Sequence, residues 1–133
     1  MNGEDLARIG FCPRLRLALS NRQQLMRSLP RSSGVYAILL GAPLHRARGK
    51  SDILYIGRGA GADGLRARVS QHLSPGPTQS TNKRILARVL RGEECHVSWI
   101  EADTPGDAVR LRRALLLRYA EEHGEGPPEN LRV

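Results

Sequence analysis

Four side chains suited to acid–base and phosphate chemistry fall close together in the chain: Tyr36, Tyr55, Arg68 and His72. Arg68 and His72 stand four apart in "LRARVSQH", so on a helix they share one face and can converge on a single phosphate. A guanidinium there supplies fixed positive charge in a shape matched to phosphoryl oxygens. Phenols titrate at about 10 and need a nearby cation to serve as bases at neutral pH. Arg58 follows "YIG" directly and is a further candidate phosphate contact. Gly59, Gly61 and Gly64 spell G-x-G-x-x-G between an apolar run and a helical pattern, which is the local context of a dinucleotide loop. That unit also requires a parallel strand and an acidic residue about twenty positions on. Here the corresponding region offers Asn82, Lys83 and Arg84. The glycines are therefore read as permitting a sharp turn and a close helix start. A nucleotide or other small phosphate ligand held at Gly59 to Gly64 stays open as an alternative.

The elements that must position these residues follow from period and punctuation. "GVYAILL" (Gly34 to Leu40) and "DILYIG" (Asp52 to Gly57) read as strands. "GAPLHRARGK" between them is a basic hairpin loop, which implies antiparallel pairing. A helix over Leu65 to Leu73 carries Leu65, Val69 and Leu73 inward, and "SPGPTQS" is a surface loop. "TNKRILARVLRG" reads as a helix with Ile85, Leu86, Val89 and Leu90 on one face and Arg84, Arg88 and Arg91 on another. "CHVSWIEA" is a third strand. The last helix is capped by Thr104, buries Ala108, Leu111, Leu115 and Tyr119, and stops at Gly124, leaving "PPENLRV" as an extended tail. Residues 1–30 read as a basic helical segment, with a capping box at Ser20 and Gln23 and a stripe of Leu25, Met26 and Leu29 ended by Pro30. Residues 31–133 carry the strands and the motifs, and the whole forms a single compact domain.

Charge narrows the partner. Among 133 residues, Lys+Arg 21 against Asp+Glu 13 gives a net +8 and a pI near 10.7, which points to a polyanion. The basic residues are spread along the chain, which disfavours a membrane surface. No apolar stretch reaches spanning length, and the N-terminal region lacks a continuous apolar segment, so a cytoplasmic location is expected. Cys12 and Cys95 are too few for a zinc motif and read as reduced, small hydrophobic residues.

The ordered set of "GVY", "YIG", Arg68 with His72, a third strand, a final helix and a tail closing on Asn130 resembles the GIY-YIG nuclease family. The resemblance runs from Gly34 to Asn130. It implies an α/β (α+β) domain, a small three-stranded antiparallel sheet flanked by helices. It also implies endonuclease-type hydrolysis of nucleic-acid phosphodiesters, DNA before RNA, with one divalent metal, Mg²⁺ or Mn²⁺. By the same resemblance Tyr36 lies near the attacking water, Tyr55 and His72 serve proton transfer or phosphate contact, and Asn130 anchors the tail or binds a ligand. Arg58, Arg84, Arg88 and Arg112 are expected phosphate contacts. Side chains of the first helix and of the hairpin loop (Arg46, Arg48 and Lys50) are expected to extend the basic surface.

The resemblance breaks at one position. Where the family places its metal-ligand glutamate this chain has Arg112, and a guanidinium cannot ligate a cation. Three explanations stand: another carboxylate binds the metal, with Glu129 beside Asn130 a better substitute than Glu101, Asp103 or Asp107; Arg112 takes over the metal's electrostatic role; or hydrolysis is gone and a nucleic-acid-binding module remains. The retained tyrosines, Arg68, His72 and Asn130 favour an enzyme over simple backbone binding, which needs only positive charge.

Overall fold

Every residue from Gly34 to Leu40 is buried, because the strand that contains them is covered on both sides. The structure, a computed structural model, describes residues 1–131. Strands β1 (Leu15–Arg16), β2 (Gly34–His45), β3 (Lys50–Gly59) and β4 (Cys95–Glu101) form a sheet in the order β1-β4-β2-β3, antiparallel throughout. Tyr36, Ile38 and Leu40 of β2 pack on one face among residues of α2 (Arg22–Ser28), α3 (Gly64–Leu73) and α4 (Ser80–Leu90). Val35, Ala37 and Leu39 pack on the other among residues of α1 (Gly3–Arg8) and α5 (Pro105–His123). Alternate residues of one strand thus feed two cores, which is why the run reads as continuously apolar. Full burial of an aliphatic side chain such as Leu54, Leu65 or Val69 contributes about 1.5–3 kcal/mol.

The sheet has four strands where three were expected. The additional β1 pairs Leu15 with Val97 and Arg16 with His96, and two residues are too short a run to carry a strand pattern of their own. The capping box also forms elsewhere, at Asn2 and Asp5 rather than at Ser20 and Gln23. Ser20 lies in a short 3₁₀ turn, and the Asn21 side chain closes it by accepting from Ala18 N and donating to Arg16 O. Leu6 and Phe11 enter one core and Leu17, Leu25 and Leu29 the other, so residues 1–30 help to build both layers. In α4, Ile85 is buried as expected, but Leu90 is exposed.

The hairpin between β2 and β3 is shorter than its sequence suggests, since both strands extend and leave Arg46 to Gly49 as the turn. Its arginines make contacts within the chain. Arg46 donates to Gly126 O at 2.6 Å and pairs with Glu125, while Arg48 donates to Glu121 O at 2.6 Å. Arg48 thus caps a carbonyl in the last turn of α5, where free carbonyls and the helix dipole favour cations, and Arg46 holds the chain just beyond the helix. At the other end Thr104 Oγ1 accepts from Asp107 N at 3.0 Å, and Gly124 ends the helix at φ +77°. Thr104→Ala is expected to cost about 1 kcal/mol in urea unfolding. An unchanged midpoint would show that the cap is idle. Among the described residues, no helix is long and apolar enough to cross a membrane.

Candidate nucleic-acid interface

The antiparallel register sets the two phenols. Tyr36 lies opposite Gly57 and Ile38 opposite Tyr55, so Tyr36 and Tyr55 project from the same face, with ring centroids 6.1 Å apart. A Cβ on Gly57 would sit 2.4 Å from Tyr36 Cζ, so the glycine of "YIG" is the space the Tyr36 ring occupies. α3 then brings His72 against both rings, at 5.4 Å between centroids in each case, with Tyr36 Oη 2.6 Å from His72 Nε2.

Arg68 and His72 separate in depth instead of converging on one ligand. Arg68 is exposed and faces a hollow, while His72 is buried behind Tyr36. Burial pushes the Tyr36 phenol well above its ordinary value, Tyr55 adds to this, and the positive charges of Arg68 and Arg112 oppose it. Burial, then the Arg68 charge, lowers His72 to about 4. At neutral pH the pair is a neutral phenol hydrogen-bonded to a neutral imidazole, so Tyr36 is not a standing phenolate base.

The hollow has a volume of about 600 Å³ and opens beside β3, the free edge of the sheet. Tyr36, Tyr55, Arg58 and Arg68 line it from the sheet and α3, and Arg112 reaches it from α5. Arg112 Nε donates to Ile56 O at 3.2 Å. The Asn130 carboxamide holds the same residue from both sides, accepting from Ile56 N at 2.8 Å and donating to Ile56 O at 2.9 Å. Glu129 N bonds Leu54 O at 3.0 Å, so the tail continues the sheet along an otherwise unpaired edge. Asn130 is thereby a tail anchor beside the site.

Two arginines expected at phosphate are held by carboxylates. Arg84 Nε donates to Glu129 Oε2 at 2.8 Å, and Arg88 pairs with Glu93 at 3.0 Å without lining the hollow. The glycine loop holds no anion site at its helix. The second and third amides of α3, from Leu65 and Arg66, donate to the backbone carbonyls of Ser32 and Pro30 at 3.0 and 3.1 Å. Gly64 adopts φ +41° with no room for a Cβ, which would lie 2.0 Å from Ser32 O. The glycines seat the helix against the chain before β2. Sequence reasoning missed the rest of the lining, Gln71 and Thr78 to Asn82, because nothing in "SPGPTQS" separates a lining loop from any other surface loop.

This antiparallel sheet between helical layers, with a tyrosine on each of two adjoining strands and their partners on the following helix, is the GIY-YIG nuclease fold. The chain is similar in structure to the GIY-YIG N-terminal endonuclease domain of UvrC from Thermotoga maritima, bound to its catalytic magnesium, at 20% identity and a TM-score of 0.51. The match covers 84% of this chain and 97% of that domain. Two point mutants of the same domain, each bound to the catalytic divalent cation, match at 20% identity with TM-scores of 0.52 over the same shares. No protein-family model matches the chain, and no curated protein does.

The donor set of this chain does not fit a divalent cation. Such ions take several oxygen ligands, carboxylates above all. Glu129 is the one carboxylate lining the hollow among the described residues; it is buried and tied to Arg84, and both polar atoms of Asn130 are used on Ile56. No group of three or more His, Cys, Asp or Glu able to hold a metal occurs among the described residues. Arg112 adds a fixed positive charge where a cation would have to sit close by.

Proposed function

We propose that the protein engages the phosphodiester backbone of nucleic acid in this hollow, as an endonuclease-like domain in which guanidinium groups stand in for a metal. One observation carries the reading. Arg58, Arg68 and Arg112 all line the hollow, and among the described residues no carboxylate pairs with any of them. Arg14, Arg84, Arg88, Arg110 and Arg118 are matched to Asp or Glu, and, among the described residues, other arginines without such a partner, such as Arg48, Arg66 and Arg113, do not line the hollow. Unmatched positive charge concentrated in a concave site has to be balanced from outside, and phosphate oxygens suit the planar fork of arginine. The net charge of +8 extends the attraction beyond the hollow.

A second reading, hydrolysis without a metal, is favoured by the Tyr36–His72 hydrogen bond of 2.6 Å, which backbone binding alone does not require. A phenol joined to a neutral imidazole offers a proton path at the edge of the hollow, and the arginines supply the charge stabilisation. Both readings share the metal-free phosphate contact, and cleavage of labelled DNA in EDTA, lost in Tyr36→Phe, distinguishes turnover from binding.

The contact itself is tested by fluorescence anisotropy of labelled DNA at increasing salt. The logarithm of the affinity falls linearly with the logarithm of salt, and Arg68→Ala weakens binding and flattens that slope by about one. A wild-type affinity that ignores salt would remove the basis of the proposal.

A further inference from the structure

The hollow is larger and more varied in its lining than a backbone clamp requires. At about 600 Å³ it lies in the size range of sites that enclose whole small molecules, not one phosphate group. Arg58, Arg68 and Arg112 line it from β3, α3 and α5. Gln71, whose Oε1 accepts from Arg68 at 3.4 Å, and the consecutive residues Thr78 to Asn82 add a stretch of uncharged, hydrogen-bonding side chains to the same lining. Cations adjoin that stretch in sequence, but both are drawn to protein acceptors. Lys83 Nζ donates to Pro77 O at 2.7 Å, and Arg84 is held by Glu129 and Thr81. The stretch itself carries no charge.

Its polar atoms are partly ordered and partly open. Gln79 Oε1 accepts from Gly76 N at 2.8 Å and from Asn82 Nδ2 at 3.0 Å, which fixes both carboxamides in orientation. No hydrogen bond among the described residues engages Asn82 Oδ1 or Gln71 Nε2, so an acceptor and a donor remain for a ligand. The half-buried ring of Tyr55 lines the same hollow. Carboxamides that pair with base edges and an aromatic face on which a base stacks are the means by which proteins hold bases outside a duplex.

From this lining we infer that the hollow takes one complete unpaired nucleotide, its phosphate against the arginines and its base against Tyr55 and the carboxamides of Gln71 and Asn82. The inference rests on the phosphate contact proposed above and adds the state of the substrate: a single-stranded or extruded nucleotide, not the outer surface of an intact duplex.

Three labelled DNA probes of equal length test it by anisotropy at one salt concentration: a single strand with bases, the same backbone made abasic, and a fully paired duplex. The base-bearing strand is expected to bind about tenfold tighter than the abasic strand, the scale of one base stacked on an aromatic ring, and tighter than the duplex. Asn82→Ala narrows the gap between the two single strands. Gln71→Ala, on a separate helix, narrows it as well, which guards against a local folding defect at Asn82. Arg68→Ala lowers both single strands together. Equal affinity for abasic and base-bearing strands, or a preference for the duplex, would overturn the nucleotide inference and leave the backbone reading standing. Failure of all three probes to bind would overturn both.

Discussion

Replacing Arg112 by glutamate is expected to weaken DNA binding by about a hundredfold and to give the protein an affinity for Mn²⁺ that the wild type lacks. The first effect has two parts. A charge-assisted hydrogen bond to phosphate is lost, worth about 1.5–3 kcal/mol, and a carboxylate then faces the polyanion. A loss of about 3 kcal/mol corresponds to roughly a hundredfold in affinity. The second effect follows from placing another carboxylate on the lining that already holds Glu129. The fold should tolerate the change, because Ile56 O keeps its bond from Asn130 at 2.9 Å when the Arg112 contact at 3.2 Å is removed. Anisotropy reads the DNA affinity and calorimetric titration reads Mn²⁺. Unchanged DNA binding in Arg112→Glu would show that this guanidinium does not touch the ligand.

Acid should destabilise the protein through His72. The imidazole titrates at about 4 in the fold against an ordinary 6.5, because it is buried and then because Arg68 repels its proton. Between those two values the unfolded chain binds a proton that the folded chain refuses, so stability falls as pH falls from 6.5 toward 4. Above 6.5 both forms are neutral and the residue contributes no slope. The displacement corresponds to roughly 3 kcal/mol, comparable with a large part of a small domain's stability. Urea unfolding at pH 7 and at pH 4 measures it, with His72→Gln as the reference that cannot titrate. The wild type should lose roughly 3 kcal/mol more than the variant over that interval; equal losses would place the acid sensitivity elsewhere.

From Gly34 onward the order of elements was legible because each was signalled locally. Gly34 to Leu40 is apolar at every position, Thr104 and Gly124 bracket α5, and the two tyrosine tripeptides sit on paired strands. What escaped the sequence depended on partners distant in the chain. β1 exists only because Val97 and His96 offer it an edge, and the hairpin arginines turn to the end of α5 and the chain after it only because the carbonyls of Glu121 and Gly126 lie there. At the site, the four-residue spacing of Arg68 and His72 gave one helical face but not the depth at which each would stop. Tyr36 takes the place between His72 and solvent. Glu129 was visible as the carboxylate nearest Asn130, whereas its capture by Arg84, far away in sequence, was not.

The central claim is that phosphate is held here by guanidinium groups without a cation. A titration of labelled DNA into the wild-type protein, run in EDTA and again in Mg²⁺ at matched ionic strength, tests it most directly. The same affinity is expected in both buffers. Binding that vanishes in EDTA and returns with Mg²⁺ would contradict it.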